Sequence, residues 1–422
     1  MRILHISKSD SGGAAIAAIR LHKALLSQEI ESSMLFLSCT NKSLPNSYAF
    51  LNGSQIKLGF IMRQGSRIKN KLLYRFSNQS KNVTKLQNKI KGFETFTFNP
   101  TDFDITSLKA YKEADIIHLH WISGFIDYGF FQINKKPVIW TLHDMNPFTG
   151  GCHYSSGCNK YLTDCKNCPQ LQGTSNSDNA FFDQEYKNVC LERQTHIITA
   201  PSQWLKNCAI RSKLFKKFQG LHIPNSLDQS IFRPQNKAFC RSVFSLPCDK
   251  KILLFVSEKI ENSRKGFDLL INALSCLDRK DFHVCAVGDS DPTVKYQNNI
   301  SFLGGISDER LMSLAYSAAD CFVLPSREDN LPNVMLESIS CGTPVIAFPV
   351  GGMLDVIKTG INGILAKEIS SDSLTNAINE FLEGKYSFDS IRISEDAKQN
   401  FQQSVQANRY ASLYKTMLPS SE

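Results

Sequence analysis

The stretch EDNLPNVMLESISCG, from Glu328 to Gly342, decides the fold class and the candidate site of this 422-residue chain. It follows the apolar run CFVLPS, which is typical of a buried strand. Pro332 suits the first turn of a helix, where its missing N–H costs no hydrogen bond. Gly342 suits the position just past a helix end. The stretch therefore predicts a strand followed by a helix over about residues 332–341.

Two carboxylates flank the start of this predicted helix. Asp329 precedes the helix, and Glu337 lies about one and a half turns inside it. Backbone N–H groups of the first turn can hold a phosphate, and here they belong to Leu331, Asn333 and Val334. A carboxylate accepts two hydrogen bonds at once, which matches a vicinal diol of a ribose or a hexose. The pattern predicts a nucleotide-sugar site; the alternative is a helix cap at Asp329 and a surface Glu337.

Strands and helices alternate along the whole chain. RILHIS, ADIIHLHW, PVIWTLHD and HIITAPS are typical of strands, and the pattern restarts with KILLFVS after turn-forming residues near 225–235. Such alternation predicts open parallel sheets with helices on both faces. The predicted fold class is α/β, with two doubly wound, Rossmann-like domains at 1–228 and 229–395 that face each other across a cleft. A last helix within 396–422 is a candidate to cross back to the first domain.

Ligands of such sheets bind beyond the carboxyl ends of the strands. Gly12 and Gly13 follow the first strand, where glycine lets backbone N–H groups approach an anion. His143 follows VIWTLH and can donate a hydrogen bond to a substrate hydroxyl. Lys265 follows LLFVS at the start of a helix and can neutralise a diphosphate. Each of them also has a plain structural explanation, as a turn glycine, a core histidine or a surface lysine.

His118 and His120 alternate on one predicted strand, so their side chains share a face of the sheet. We expect them to belong to the wall of the same cleft or to its packing.

The net charge of +9 is concentrated in one segment. Residues 57–91 contain ten Lys or Arg and no Asp or Glu, with apolar residues at helical spacing between them. This pattern predicts an amphipathic helix on an anionic membrane surface; a solvated basic face is the alternative. The aromatic residues of the segment are not interleaved with the charges as stacking platforms would require, which argues against nucleic acid as a partner. No apolar run reaches the length of a membrane span and no signal peptide is recognisable. We therefore expect a cytoplasmic protein, peripheral on the cytoplasmic face of the membrane.

Four of the thirteen cysteines cluster in the loop 150–170: Cys152, Cys158, Cys165 and Cys168. The last two form a CxxC pair, as in half of a zinc knuckle. The first two are spaced more widely than zinc ligands usually are, and His153 is an alternative ligand. A structural zinc, paired disulfides and packed thiols all remain open, while the scattered cysteines are typical of a reducing compartment.

With these residues, the chain resembles the retaining nucleotide-sugar glycosyltransferases of family 4, which have the GT-B fold. EDNLPNVMLESISCGTPVIAFPVGG looks like their signature of two acids separated by seven residues and followed by a small-residue turn. FLGGISDERLMSLAYSAADCFVLPS, IPNSLDQSIFRP and RKGFDLLINAL agree at the matching places. DMNPFTGGCHYSSGCNKYLTDCKNCPQL is similar to a subgroup that builds bacterial surface polysaccharides. The first acid is usually glutamate in the family, whereas Asp329 stands here, after Glu328.

The resemblance implies roles for the matching residues of the second domain. Asp329 would bind the donor hexose together with the helix N-terminus at 331–334. Glu337 would bind the ribose, and Lys265 would hold the diphosphate.

In the first domain, the resemblance implies that Gly12 and Gly13 lie against the donor and that His143 lies near its sugar. The family's arginine, which accompanies the lysine, has no clear match in SEKIENSRK. Lys259 or Arg264 is a candidate for its role.

The resemblance further implies transfer of a hexose, with retained anomeric configuration, from a nucleoside-diphosphate sugar to a lipid-linked glycan acceptor. The candidate catalytic residues are His143, Lys265 and Asp329. No divalent metal is required, because cations and helix N–H groups stabilise the leaving diphosphate. The alternatives are a nucleotide-sugar epimerase, a phosphorylase-like enzyme of the same fold, and an inactive zinc-bearing scaffold.

Overall fold

The computed structural model describes residues 1–50, 95–172, 178–290 and 299–418. The chain forms two compact units, Met1–Pro224 with Gln406–Glu422, and Asn225–Val405. The chain therefore passes between the units at 224/225 and 405/406, whereas the sequence predicts boundaries at 228/229 and 395/396. The predicted basic helix within 57–91 lies outside the described residues.

The first unit contains a seven-stranded sheet in which every neighbouring pair of strands is parallel, in the order β3-β2-β1-β4-β5-β6-β7. Its strands are β1 (Arg2–Ser9), β2 (Glu31–Ser38), β3 (Ser47–Ala49), β4 (Ile116–Leu119), β5 (Val138–Thr141), β6 (Ile197–Ala200) and β7 (Gln219–His222). Among the described residues that precede 225, the α-helices are α1 (Gly13–Leu26), α2 (Lys109–Glu113), α3 (Phe130–Ile133), α4 (Asn179–Leu191) and α5 (Gln203–Arg211).

The second unit contains a six-stranded parallel sheet in the order β10-β9-β8-β11-β12-β13. Its strands are β8 (Lys251–Lys259), β9 (Phe282–Asp289), β10 (Ile300–Phe302), β11 (Cys321–Leu324), β12 (Val345–Ala347) and β13 (Gly363–Leu365). Its helices are α6 (Lys237–Val243), α7 (Phe267–Ser275), α8 (Glu309–Ala318), α9 (Asn333–Ser340), α10 (Met353–Val356), α11 (Ser371–Leu382) and α12 (Ser390–Phe401). The prediction of two Rossmann-like domains is confirmed.

The central strands are apolar runs because both of their faces are covered. All four residues of β4, β5 and β11 are buried, as expected for parallel sheets that carry helices on both sides. Apolar clusters lie on either side of each sheet.

The strand order reverses once in each sheet. β1 lies between β2 and β4, and β8 lies between β9 and β11. Ligands of open α/β sheets bind at such a reversal, beyond the carboxyl ends of the two strands. The loops after β1 and β4 in the first unit, and after β8 and β11 in the second, therefore mark the places for functional side chains.

The prediction of a single helix near the C-terminus is wrong, because the structure has two helices there. α12 ends at Phe401, Gln402 is extended (φ −67°, ψ 151°), and α13 runs over Gln403–Met417. The Leu227 N–H donates to the Phe401 carbonyl oxygen at 2.8 Å. This bond joins the end of α12 to the first residues of the second unit.

The helix α13 packs on the first sheet through two buried tyrosines. The Tyr410 hydroxyl lies 2.8 Å from Thr141 Oγ1 and 2.9 Å from Thr199 Oγ1, on β5 and β6. The Tyr414 hydroxyl lies 2.7 Å from His118 Nδ1, on β4. The polar ends of the two rings are thus satisfied inside an otherwise apolar layer.

Three histidines are wholly buried at the centre of the first sheet. His5 on β1 is the register partner of His118 on β4, and His120 directly follows β4. The rings of His118 and His120 are stacked, with their centroids 4.3 Å apart, so the prediction that they share a face is correct. Burial lowers the pKa of His118 to about 3 and holds the pKa values of His5 and His120 well below the usual range. All three are therefore neutral at pH 7.

We expect the free energy of unfolding of the first unit to fall as the pH drops below about 6.5. In the unfolded chain a histidine takes its usual pKa of about 6.5, so between pH 6.5 and the lowered folded-state pKa only the unfolded state binds the proton. No such loss arises above pH 6.5, and below it each of these histidines costs about 1.4 kcal/mol per pH unit. Denaturant unfolding at pH 7.5 and pH 5.0, before most carboxylates titrate, measures the difference.

Tryptophan fluorescence is the right readout, because Trp121, Trp140 and Trp204 are the chain's three tryptophans and all belong to the first unit. The variant His118→Gln removes one of the titrating groups and should flatten the pH dependence. An unfolding free energy that is equal at the two pH values would contradict the expectation.

Candidate functional site

The loop between β11 and α9 carries the stretch from which the sequence argument starts. Pro332 stands directly before α9, and Gly342, just beyond its end, has a positive φ of 76°. The helix bounds 333–340 lie within the predicted 332–341. The N-cap residue is Pro332, whose side chain makes no capping hydrogen bond, so the helix start lacks the Ser, Thr, Asp or Asn cap that is usual at this position.

Asp329 forms the centre of this loop. It is buried, and its Oδ2 lies 2.5 Å from Lys265 Nζ and 3.4 Å from Arg264 Nη1. Its Oδ1 accepts from the Asn330 N–H at 3.1 Å. Burial alone would raise the pKa of Asp329, but the two cations and these hydrogen bonds outweigh it and lower the pKa. Asp329 is thus an ionised partner of two cations.

Glu337 lies in the second turn of α9 and is also buried. Its Oε2 accepts from the Tyr316 hydroxyl at 3.0 Å, and only 7% of the residue is exposed. The alternative of a surface glutamate is therefore wrong.

The cations come from the turn that follows β8. Ser263–Lys265 form a 3-10 turn, and Gly266 then takes a positive φ of 74°. A Cβ at Gly266 would lie 1.9 Å from the Pro325 carbonyl oxygen, so only glycine allows this turn to approach the loop after β11. Arg264 also donates to the Glu328 carbonyl oxygen at 3.0 Å.

Of the two candidates to accompany Lys265, the structure places Arg264 beside the site. Lys259 is exposed at the end of β8.

A second glycine turn packs against the backbone of Asp329, a role that the sequence pattern alone did not predict. Gly351 has a positive φ of 53°, and a Cβ on it would lie 1.7 Å from the Asp329 carbonyl oxygen. The Gly352 N–H donates to the Asn330 carbonyl oxygen at 2.5 Å. The small-residue turn after β12 in the sequence was the available signal.

In the first unit, the turn after β1 leads into α1. Gly12 has a positive φ of 87°, and a Cβ on it would meet no atom within 4 Å among the described residues. Gly13 is the first residue of α1, and the N-cap position is taken by Gly12, which has no side chain. The glycine therefore serves the backbone conformation and leaves room beside it.

His143 follows β5 and is connected to the buried histidines. Its Nε2 lies 3.1 Å from His120 Nδ1. Burial lowers the pKa of His143 to about 4, although the neighbouring Asp144 carboxylate acts in the opposite direction. His143 is therefore a neutral imidazole at pH 7, suited to donate or accept a hydrogen bond rather than to carry charge.

The segment after His143 is held by its own polar contacts. Asp144 Oδ2 lies 2.6 Å from His153 Nδ1 and accepts from Trp121 Nε1 at 2.7 Å. Burial would raise the pKa of Asp144, but the His153 charge and the hydrogen bonds lower it. The other His153 nitrogen lies 3.1 Å from Thr97 Oγ1, so His153 is engaged here and is not placed as a metal ligand.

A buried lysine fixes the same segment, and nothing in the local sequence pattern indicated it. The Lys187 ammonium on α4 has no exposed surface and pairs with Asp183 at 2.9 Å. It also donates to the carbonyl oxygens of Asn146 at 2.8 Å and Thr149 at 2.9 Å. An ammonium at this depth requires such complete pairing.

The four clustered cysteines line one pocket: Cys152, Cys158, Cys165 and Cys168. No cysteine of the described residues forms a disulfide, so the disulfide alternative is not observed. Burial raises the pKa of the Cys165 thiol to about 12. Within the described ranges, the one group of three His, Cys, Asp or Glu with ligand atoms within 4.8 Å of one another is His5, His118 and His120. The zinc site stays a prediction.

Residues 250–384 match the family model described as Glycosyl transferases group 1. This range contains β8 to β13 and all of the candidate residues around Asp329.

Curated relatives match longer parts of the chain than the family model does. An uncharacterized glycosyltransferase of Methanocaldococcus jannaschii is 27% identical over 284 residues, which are 64% of this chain and 66% of that protein. A 41.2 kDa protein in the cps region of Klebsiella pneumoniae is 26% identical over 322 residues, 74% of this chain and 81% of its own. A putative colanic acid biosynthesis glycosyl transferase of Escherichia coli is 24% identical over 266 residues, 60% of this chain and 64% of that one.

Solved structures match the whole chain in fold. Sucrose-phosphate synthase from Thermosynechococcus elongatus has a TM-score of 0.67 at 20% identity and covers 99% of both chains. The Anabaena protein HepE in complex with UDP has a TM-score of 0.67 at 16% identity, covering 99% of this chain and 100% of its own. Together with the two parallel sheets, these likenesses show the GT-B fold. Residues 250–384 thus match the glycosyl transferases group 1 family model, within a chain of GT-B fold.

Proposed function

We propose that this chain is a retaining family 4 glycosyltransferase that moves a hexose from a nucleoside-diphosphate sugar to a lipid-linked glycan acceptor in surface polysaccharide synthesis. One observation carries the proposal: a buried, ionised Asp329 holds Lys265 and Arg264 in the loop that leads into α9, a helix whose N-cap is a proline. The capsule-region and colanic acid relatives support the polysaccharide role. The HepE complexes with UDP and UDP-glucose support the donor class.

In this proposal, the donor's diphosphate lies between the cations and the helix. Lys265 and Arg264 face the phosphate charge that grows as the glycosidic bond breaks, and the first-turn N–H groups of α9 add their dipoles. Asp329 then keeps the two cations in place and accepts hydrogen bonds from the hexose. Glu337, fixed by Tyr316, accepts from the ribose hydroxyls.

The proposed chemistry needs no divalent metal and no enzymic nucleophile. The leaving diphosphate accepts the proton of the attacking acceptor hydroxyl on the same face of the sugar, which retains the anomeric configuration. His143 is neutral, so its proposed part is a hydrogen bond to the donor sugar. Gly12 and Gly13 leave the backbone accessible to the donor.

The donor site is tested by ligand-induced stabilisation. A panel of UDP, GDP and ADP sugars at about a hundred times the dissociation constant should contain one that stabilises the wild type by roughly 2.7 kcal/mol. Glu337→Gln keeps the size of the side chain and a hydrogen-bond acceptor for Tyr316. It removes the negative charge that is proposed to bind the two ribose hydroxyls. We expect its affinity for that nucleotide to fall at least about tenfold, because charged hydrogen bonds are roughly twice as strong as neutral ones.

The matched control is Glu383→Gln, an exposed carboxylate at the end of α11 in the same unit, which should bind like the wild type. Equal affinity in Glu337→Gln and the wild type would remove Glu337 from the site. Incubation with the donor alone distinguishes a transferase from an epimerase. An epimerase would change the sugar configuration of the free donor, whereas a transferase leaves it unchanged.

We also propose that the cysteine pocket takes a structural zinc. Four thiols are a sufficient ligand set for zinc. No three of these sulfurs lie within 4.8 Å of one another in the described structure, so a metal would have to draw them together, and it would offset the cost of deprotonating buried thiols. Elemental analysis of purified protein should then find about one zinc per chain. The variant Cys165→Ser with Cys168→Ser should lose it, whereas the exposed pair Cys248→Ser with Cys276→Ser should keep it. Zinc at background level in the wild type would leave these residues as packed thiols.

A lipid-linked acceptor requires the enzyme at a membrane. The described residues contain no helix that is both long and apolar enough to cross one. We propose that the ten cations of residues 57–91 bind the anionic cytoplasmic face, where each contributes about 1 kcal/mol. Flotation with anionic vesicles should therefore be strong at low salt and weak at high salt.

The test variant replaces three of these cations by glutamine: Lys69, Lys71 and Arg75. The control replaces three exposed cations of the second unit in the same way: Lys358, Lys367 and Arg392. The test variant should float less than the control. Equal flotation of the two variants, or equal binding to neutral vesicles, would refute membrane binding by this segment.

A further inference from the structure

Three imidazoles of the first unit form a continuous hydrogen-bonded chain. His5 Nδ1 lies 2.9 Å from His120 Nε2, and His120 Nδ1 lies 3.1 Å from His143 Nε2. The chain thus runs from the centre of the sheet to the loop after β5, with His5 Nε2 at one end and His143 Nδ1 at the other.

The number of protons in this chain is fixed. Burial keeps all three rings neutral at pH 7, so together they carry three N–H protons. Each of the two hydrogen bonds uses one proton. The third proton must lie at one end of the chain, either on His5 Nε2 or on His143 Nδ1. All three rings then share one tautomer, Nδ1–H or Nε2–H.

The two ends have different surroundings. His5 Nε2 is buried and has no hydrogen-bond partner among the described residues, and a buried N–H without an acceptor is among the rarest features of folded proteins. At the other end, the ionised Asp144 carboxylate favours positive charge near His143. Both surroundings favour the proton at the His143 end.

We propose that His5 and His120 are positioning residues that hold His143 in the Nδ1–H tautomer, so that His143 presents a hydrogen-bond donor to the sugar of the nucleotide donor. The ligand in this statement rests on the proposed function, whereas the tautomer does not. His143 then stabilises oxygen atoms of the substrate and cannot act as a base through Nδ1.

The neighbouring His118 packs against this row of hydrogen-bonded histidines but makes no hydrogen bond to it. Its Nδ1 is bonded to Tyr414 and its Nε2 lies 2.7 Å from Thr141 Oγ1, while its ring stacks on His120. These bonds also account for the close approach of His5, His118 and His120. In this group only His5 Nε2 lacks a partner among the described residues, so a metal would find one open ligand atom rather than three.

The tautomer is measured directly by NMR. In full-length protein labelled with ¹⁵N in the histidine rings, two-bond ¹H–¹⁵N correlations at pH 7.5 distinguish a protonated Nδ1 from a protonated Nε2. The signals of the three rings are assigned by their loss in His5→Asn, His120→Asn and His143→Asn. We expect Nδ1–H in all three, and Nε2–H at His143 would overturn the proposal. No substrate is needed, so this outcome does not depend on the proposed function.

Kinetics test the consequence for transfer. His5→Leu removes the N–H that His120 Nε2 accepts, so the third proton is no longer directed to His143. We expect its kcat to fall about tenfold, while the affinity for the nucleoside diphosphate stays within about twofold of the wild type. His5→Asn places an amide N–H near the Nδ1 position and should recover most of the lost kcat.

The matched control for packing is His196→Leu, which removes another buried histidine of the first unit, outside the chain of three. It should lower the melting temperature and leave kcat unchanged. If His5→Leu behaved in the same way, with kcat per folded molecule unchanged, His5 would be a packing residue only. If NMR found Nδ1–H but no donor sugar were used, the proposed function would fail while the tautomer assignment stood.

Discussion

The buried carboxylate of Asp329 is the constraint on which the second unit's functional face depends. A charge at this depth is tolerated only when it is paired, and its partners come from the turn after β8. Its own backbone is held by the glycine turn after β12. Three loops that follow neighbouring strands therefore meet at one residue. The same pairing holds Lys265 and Arg264 in the loop before α9, where the proposed function places the donor's diphosphate.

Glycine is required at both contacts, and for the same reason. Gly266 and Gly351 have positive φ values, and at each of them a Cβ would collide with a backbone carbonyl oxygen. Close approach of backbone to backbone is what lets short loops bring a carboxylate and two cations together. The ion pair and the two turns should therefore be regarded as one structural unit.

The centre of the first unit differs from the site around Asp329, because its polar groups carry no charge. His5, His118 and His120 are neutral, as are the threonines and tyrosines that contact them, and most of their polar atoms are paired with one another. α13, the last helix of the chain, supplies Tyr410 and Tyr414 to this network, so the chain's return to the first unit is also a part of its core. Two charged groups lie in the segment after His143 and against it, namely Asp144 and Lys187. Each of them is fully engaged by partners.

The sequence by itself determined the fold class and the second unit's site elements, because both rest on local patterns. Strand–helix alternation predicted two parallel sheets, and Pro332, Gly342 and the spacing of two acids predicted a helix with its carboxylates. Only the tertiary structure decided what those groups contact. Asp329 meets a lysine 64 positions away, and His5 meets a histidine 115 positions away. Such pairings depend on the order of the strands in the sheet, to which no local pattern refers, and for that reason the choice of Arg264 and the histidine chain came from the structure alone.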